Sequence, residues 1–489
     1  MRPLSLFSLV VVALTFGGTT QGVEPPAVVA GKVSYFRDVR PIFQQNCQGC
    51  HQPAKANANY VMTDFASLLK PGETAKPSIV PGKPEASYLI AEIVVKDGQH
   101  EMPKDRPPLK PTEIETITKW VAQGATDDTP KNAVEPTIDA ANPPKYVGPP
   151  VVTSLAYSPD GKLLAVTGYH EIVLHTADGS AVVARLVGMS ERVQSLAFSP
   201  DGKSLAASAG NPGRTGEVQI WDVAKKTLRL SAPMTFDTLY GVSWSADGSL
   251  IACGGADNTV RAIDAVTGKQ VLFMGTHSDW VLNTVFSSDG KHVVSVSRDM
   301  SMKLTEVATQ RFVDNVTSIT PGALKGGLMA VDRRPSKEAK LAKVSPDAPK
   351  APPQTYDELL CAGSDGKPRL YKMHREVARV IGDDANRLKE FATMPGRISA
   401  VQFDPAGKRF AAASSLDGKG EVRVYDIDSA KFVACEKVTG PIYAVAWSPD
   451  GKTISSAGFD GTIFASDPAT GKLVRDFPAV PANKSTASK

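Results

Sequence analysis

Apolar residues follow two rhythms along the chain, and the change between them falls near residue 150. Over residues 31–128 they recur three and four positions apart in short runs, the spacing of a helix with one buried face. Residues 34–45 predict a first helix, 60–69 are only weakly periodic, 72–84 are rich in Gly and Pro and predict an extended loop, and 86–93 predict a short helix. The clearest helix covers 110–121. Pro111 suits its first position and Glu113 and Glu115 favour its positive N-terminal end. Ile114, Ile117, Trp120 and Val121 form one apolar face, and Gly124 stops it.

From residue 151 the apolar positions alternate, as strands require, and the pattern repeats roughly every forty residues, the period of a propeller. The recurring marker is Ser158-Pro159-Asp160-Gly161-Lys162, echoed at 199–203, 245–248, 287–291, 404–408 and 448–452, each time as a tight turn between two apolar strands. A degenerate unit fills the wide gap before Asp404, with strands expected at 327–332, 358–363 and 369–373. Between them, residues 335–355 are rich in Lys, Ala and Pro and predict a disordered insertion. Counting this unit gives seven blades over 151–480, a ring without long exposed edges. The last strand comes either from 472–477 or from residues ahead of Val151.

Proline-rich, non-periodic sequence at 129–150 predicts a semi-extended spacer, and 481–489 a flexible tail. Arg2, the apolar run 4–16 and the small residues up to Gly22 have the layout of a signal peptide over 1–22. The run is short for a bilayer span, so a periplasmic or otherwise exported protein without stable membrane insertion is expected, an uncleaved anchor being the alternative. The chain is 42% hydrophobic and 22% charged with a formal charge of +4, an ordinary globular balance that gives no reason to expect a nucleic-acid partner.

Five cysteines are present. Cys253, Cys361 and Cys435 each lie in a short apolar segment and read as small buried hydrophobes, not as a disulfide framework. Cys47 and Cys50 belong to the run Cys47-Gln48-Gly49-Cys50-His51. Two thiols one helical turn apart each add across a vinyl group of one haem, and the adjacent histidine then lies under the iron. A zinc half-site or a redox dithiol is the alternative; the first lacks nearby ligands and the second expects a preceding strand, where a helix is predicted. The fold expected is therefore multidomain, a small all-α cytochrome c-like domain followed by an all-β seven-bladed propeller. One covalent haem c is expected, with His51 as proximal iron ligand. Met102, in a loop before the last helix and stiffened by Pro103, leads as distal ligand; Met62 and His100 are the other candidates.

Residues 35–127 resemble the planctomycete-type cytochrome c domain. The likeness rests on Arg40-Pro41-Ile42-Phe43, the Cys-x-x-Cys-His run, Ile79-Val80-Pro81-Gly82-Lys83-Pro84, Met102-Pro103 and Trp120-Val121-Ala122-Gln123-Gly124-Ala125. The resemblance implies Cys47 and Cys50 as haem attachment points, His51 as proximal and Met102 as distal ligand. It departs where Lys104-Asp105-Arg106 separates Pro103 from Pro107-Pro108. Residues 151–480 resemble the WD-repeat family: Trp221-Asp222 is its one full signature dipeptide, Ile263-Asp264 and Tyr425-Asp426 keep the aspartate, and His277 with Asp299 resembles the family's His/Asp network.

Electron transfer, with the propeller as a docking platform for redox and other proteins, is the function expected. The competing readings are a haem enzyme, either a two-haem reductase or a peroxidase-like protein, and a scaffold with a structural or sensory haem. No catalytic residue stands out. His170, His175, His277, His292 and His374 sit in no matching blade positions and read as structural or exposed, and no Ser/His/Asp set or phosphate loop is present.

Overall fold

The computed structural model describes residues 31–480 apart from 53–54, 105, 132–137, 147, 336–339 and 342–354. The expected signal peptide at 1–22, the tail at 481–489 and most of the 335–355 insertion lie outside the described residues. What is described of the insertion includes an antiparallel pairing of Lys340–Leu341 with Thr355–Tyr356.

Residues 31–128 form a small helical unit. Ser34 caps its first turn by accepting from the Arg37 N–H. That turn, Tyr35–Val39, is π-helical and runs into α1, Arg40–Asn46. The sequence predicts one regular helix here, but Pro41 has no N–H to continue the ladder, and the Arg40 N–H reaches back to the Tyr35 carbonyl. α2 (Phe65–Leu68) and α3 (Tyr88–Ile93) are short. α4, Pro111–Ala122, matches its sequence pattern: the Glu113 carboxylate accepts from the Lys110 N–H at 2.8 Å, and Ile117, Trp120 and Val121 are buried. The unit is not wholly helical, because His51–Gln52 pairs antiparallel with Lys55–Ala56.

Five four-stranded antiparallel sheets and one seven-stranded sheet follow. The larger sheet contains β1 (Val182–Phe198), β2 (Thr215–Asp222) and β3 (Thr227–Thr235). β1 belongs to two meanders: its first half pairs with Tyr169–Thr176 and its second half with Ser204–Asn211, the two pairings meeting at Arg192. The first strands of successive meanders contact one another in a closed cycle, in which Leu155–Tyr157 touches both β1 and Ile442–Trp447. Leu473–Pro478 completes the last sheet, so the final strand comes from the C-terminal side. The first and last sheets are clasped by Tyr157 Oη with Ser455 Oγ at 2.8 Å and by His175 Nε2 donating to the Ala479 carbonyl at 2.9 Å. The degenerate unit is a regular sheet too, ordered Leu328–Arg333, Glu358–Gly363, Arg369–Lys372, Arg387–Glu390.

The repeated marker has a local physical reason. Ser158 Oγ accepts from the Leu163 N–H at 2.9 Å and donates to Asp160 at 2.6 Å, while Asp160 accepts from the Lys162 N–H. Gly161 takes a φ of +70°, where a side chain would be strained. The same bonds recur around Ser199, Ser245, Ser287 and Ser448, and at 404–409 the Asp404 carboxylate replaces the serine. Cys253 and Cys361 are buried and Cys435 half-buried, none of them in a disulfide.

The spacer is not free along its whole length. Arg185 grips the fully buried Glu171 carboxylate through Nε at 2.6 Å and Nη2 at 2.7 Å, and Tyr146 Oη donates to the same carboxylate at 2.7 Å. Arg185 Nη2 also donates to the Pro144 carbonyl at 2.9 Å, which fastens the end of the spacer to the first sheet. Among the described residues no helix is long and apolar enough to cross a membrane.

Arg185→Ala would strand the Glu171 charge in the interior and is expected to cost about 3–5 kcal/mol. Tyr146→Phe, which removes one donor, should cost about 1–2 kcal/mol; urea unfolding of both variants and their double mutant checks this. A second expectation concerns His277, whose Nδ1 donates to Asp299 at 2.9 Å and whose Nε2 meets Ser295 Oγ at 2.7 Å. Burial alone would raise the Asp299 carboxyl, but hydrogen bonds from His277, Ser301 and the Ser278 N–H outweigh it and hold the group well below the usual carboxylate range. The resulting stabilisation is present above the unfolded carboxyl's value of about 3.9 and is lost as pH falls below it. Asp299→Asn should therefore unfold more readily than the parent at neutral pH, with the gap closing on acidification in urea titrations at a series of pH values.

Candidate functional site

α1 ends at Cys47, and the chain keeps turning: the Cys47 N–H donates to the Phe43 carbonyl at 2.8 Å, and the Cys50 and His51 N–H groups both donate to the Cys47 carbonyl at 3.1 Å. This tight turn brings Cys47, Cys50 and His51 to the lining of one cavity. The Tyr60 carbonyl accepts from His51 Nδ1 at 3.2 Å, which leaves Nε2 as the ring nitrogen with the lone pair. Gln48, buried beneath the turn, donates to the Met62 carbonyl at 2.7 Å, and the Met62 N–H donates to the His51 carbonyl.

Met102 reaches the same cavity from another loop, held to α3 by its N–H donating to the Glu92 carbonyl at 2.9 Å. Met62 also lines the cavity but is buried in the domain core and tied to the motif's own segment. His100 turns away, its Nε2 donating to the Arg106 carbonyl at 2.9 Å, and is not part of the wall. The remaining wall is largely apolar, with Tyr60, Leu89 and Ile93, and carries two cations, Lys104 and Arg106. In the sequence those two residues read only as an interruption between prolines; a charged insertion beside a candidate ligand is the available signal.

The donor set fits a covalent haem: two cysteines, a histidine and a methionine line one largely apolar cavity. Burial pushes the Cys47 thiol up to about 12, far from a reactive thiolate. Among the described residues no group of three or more His, Cys, Asp or Glu side chains is placed to hold a metal ion.

The Planctomycete cytochrome C family model matches residues 47–106, a stretch containing the motif, Met62, His100 and Met102. The WD domain, G-beta repeat model matches 144–183, 180–222, 226–264, 268–305 and 432–464. This chain joins a planctomycete-type cytochrome c domain to WD repeats. The cytochrome domain precedes the WD propeller, and the repeat matches leave out 306–431, where the degenerate unit lies. Protein HIR1 of Candida albicans is 22% identical over 322 residues, covering 64% of this chain and 31% of the relative. Serine-threonine kinase receptor-associated protein of Gallus gallus is 21% identical over 233 residues, 46% of this chain and 65% of the relative. WD repeat-containing protein 91 homolog of Dictyostelium discoideum is 32% identical over 97 residues, 19% of this chain and 12% of the relative. The chain spans less than two thirds of each of these relatives.

Of the WD histidines, His175 and His277 are hydrogen-bonded within the sheets. His292 and His374 meet edge to face at 5.1 Å, a pairing of distant segments that spacing did not signal. Among the described residues, no histidine lines the channel at the centre of the sheets.

Gln48→Ala would leave the buried Met62 carbonyl without its donor and loosen the wall that carries His51. A loss of about 1–3 kcal/mol is expected, read from thermal or urea unfolding followed at the helical circular-dichroism band.

Proposed function

We propose that this protein is an exported monohaem c-type cytochrome that transfers single electrons, with a seven-bladed propeller as the platform on which its protein partners dock. One observation carries the reading: the motif residues Cys47, Cys50 and His51 and the distant Met102 line one cavity. Cys47 and Cys50 would hold the haem as thioethers, His51 Nε2 would take the proximal and Met102 the distal position. A haem so held would supply a one-electron couple. The rest falls to the chain's own groups. The Tyr60 carbonyl orients the imidazole, the Glu92 carbonyl anchors the Met102 loop, and the apolar wall keeps water from the centre.

The closed cycle of contacts among the first strands supports the count of seven, since the shared strand β1 serves as the last strand of one blade and the first of the next. Export rests on the N-terminal layout and agrees with a covalent haem. A second reading, an interaction scaffold with a structural or sensory haem, draws on relatives whose names describe receptor-associated and WD-repeat proteins. A two-haem reductase is disfavoured by a channel wall that offers no axial histidine among the described residues.

Absorption spectra and a redox titration of the purified chain test this. The expected result is one haem per chain and a low-spin, six-coordinate ferrous spectrum. Met102→Ala should open the sixth position and lower the potential; an unchanged spectrum would move the ligand to Met62 or His100. A high-spin iron that binds carbon monoxide rapidly in the parent protein would overturn electron transfer as the function.

A further inference from the structure

The haem loop lies against the WD sheets. α1 and the strand Lys55–Ala56 both contact β3. The approach is close at Gly49, between the two cysteines: a Cβ there would come 2.8 Å from the Ser231 carbonyl oxygen and 2.9 Å from Pro233 Cδ. Only a residue without a side chain lets the two surfaces meet.

A narrow crevice under this contact is lined by Gln48, Gly49 and Gln52 from the loop and by Ser190, Glu217 and Ser231 from the sheet. Glu217, on β2, is only 6% exposed. Its carboxylate accepts from Ser190 Oγ at 2.5 Å, from Gln219 Nε2 at 2.7 Å and from Ser231 Oγ. Gln219 is fixed in turn by the Trp221 indole N–H, which donates to Gln219 Oε1 at 3.1 Å. All three donors to Glu217 are neutral groups. A carboxylate held this way is satisfied in hydrogen bonds while no cation among the described residues pairs with it, and in a crevice this narrow its field reaches further than at the surface.

We propose that Glu217 is a tuning residue that the WD propeller lends to the cytochrome domain: a fixed negative charge behind the haem loop that favours the oxidised iron and lowers the midpoint potential. This rests on the reading of Cys47, Cys50 and His51 as a haem site. The cations Lys104 and Arg106 and the acids Glu73 and Glu92, which line the cavity itself, stay the same in every comparison below and drop out of it. On this arrangement the propeller is part of the redox centre as well as a surface for partners. The Trp221-Asp222 signature strand carries the network, so a repeat feature that normally serves packing here also sets electrostatics.

The test is a spectroelectrochemical titration of the full holo chain beside Glu217→Gln at one pH. The variant should show a higher midpoint potential with an unchanged ferrous spectrum. The difference should persist at high salt, because a buried charge is poorly screened. An unchanged or lower potential, or a difference that vanishes at high salt, overturns the proposal. Should Glu217→Gln fail to accumulate, Gly49→Val decides: it keeps every haem-attaching residue but forces the loop off Ser231 and Pro233. An upward shift then supports the proposal and an unmoved potential overturns it. Absence of attached haem in the parent chain would sink the proposed function instead, a result distinct from haem present at an unmoved potential.

Discussion

The small domain depends on the burial of one indole. Trp120 is fully buried where the N-terminal and C-terminal helices cross, with the Tyr35 ring stacked at 5.4 Å, and Phe65 and Phe43 edge-on at 6.2 and 6.4 Å. Its N–H donates to the Thr126 carbonyl at 3.0 Å, so the chain leaving α4 is tied to the same point. Phe43 passes the constraint on: the ring sits against the indole while its carbonyl accepts from the Cys47 N–H. The direction in which the two thiols point is thus set by aromatic packing several residues away. Aromatic clusters of this kind combine large apolar burial with preferred ring geometry, which suits a role in aiming a loop.

The WD region is organised by the opposite means, many small local devices in place of one large contact. Each serine-aspartate-glycine turn satisfies its own backbone groups with its own side chains, so each strand pair is set in register by residues a few positions apart. The hydroxyls and turn N–H groups also hold the Asp160, Asp201 and Asp450 carboxyls below the usual range, keeping them as acceptors. Where the serine is missing, at Asp404, a carboxylate takes over both jobs.

This contrast explains what the sequence disclosed. Helix α4, the motif turn and the repeat marker are all governed by neighbours within about one helical turn or one hairpin, and periodicity and turn chemistry read such neighbours directly. Met102 stands in the loop before a clear helix, which is why the sequence offers it as a candidate, and it lines the cavity with the motif. The π-helical turn at Tyr35–Val39, the bidentate grip of Arg185 on Glu171 and the seating of Gly49 on Pro233 were not found. Each depends on where separate segments meet, or on how a missing N–H is absorbed, and no local pattern encodes that. A glycine between two cysteines has no meaning until another strand arrives 2.8 Å from where its Cβ would stand.

The fastening of Tyr146 to Glu171 bears on how the two halves stay together. With Thr126 tied to Trp120 at one end and Tyr146 tied to the first sheet at the other, the tether is no longer than residues 127–145. A tether of that order keeps a domain near its docking surface at an effective concentration of about the millimolar range. An interface made by α1, Gly49 and the strand Lys55–Ala56 against β3 then needs only weak intrinsic affinity to stay closed. The spacer's shortness does the work that a large apolar interface would otherwise have to do.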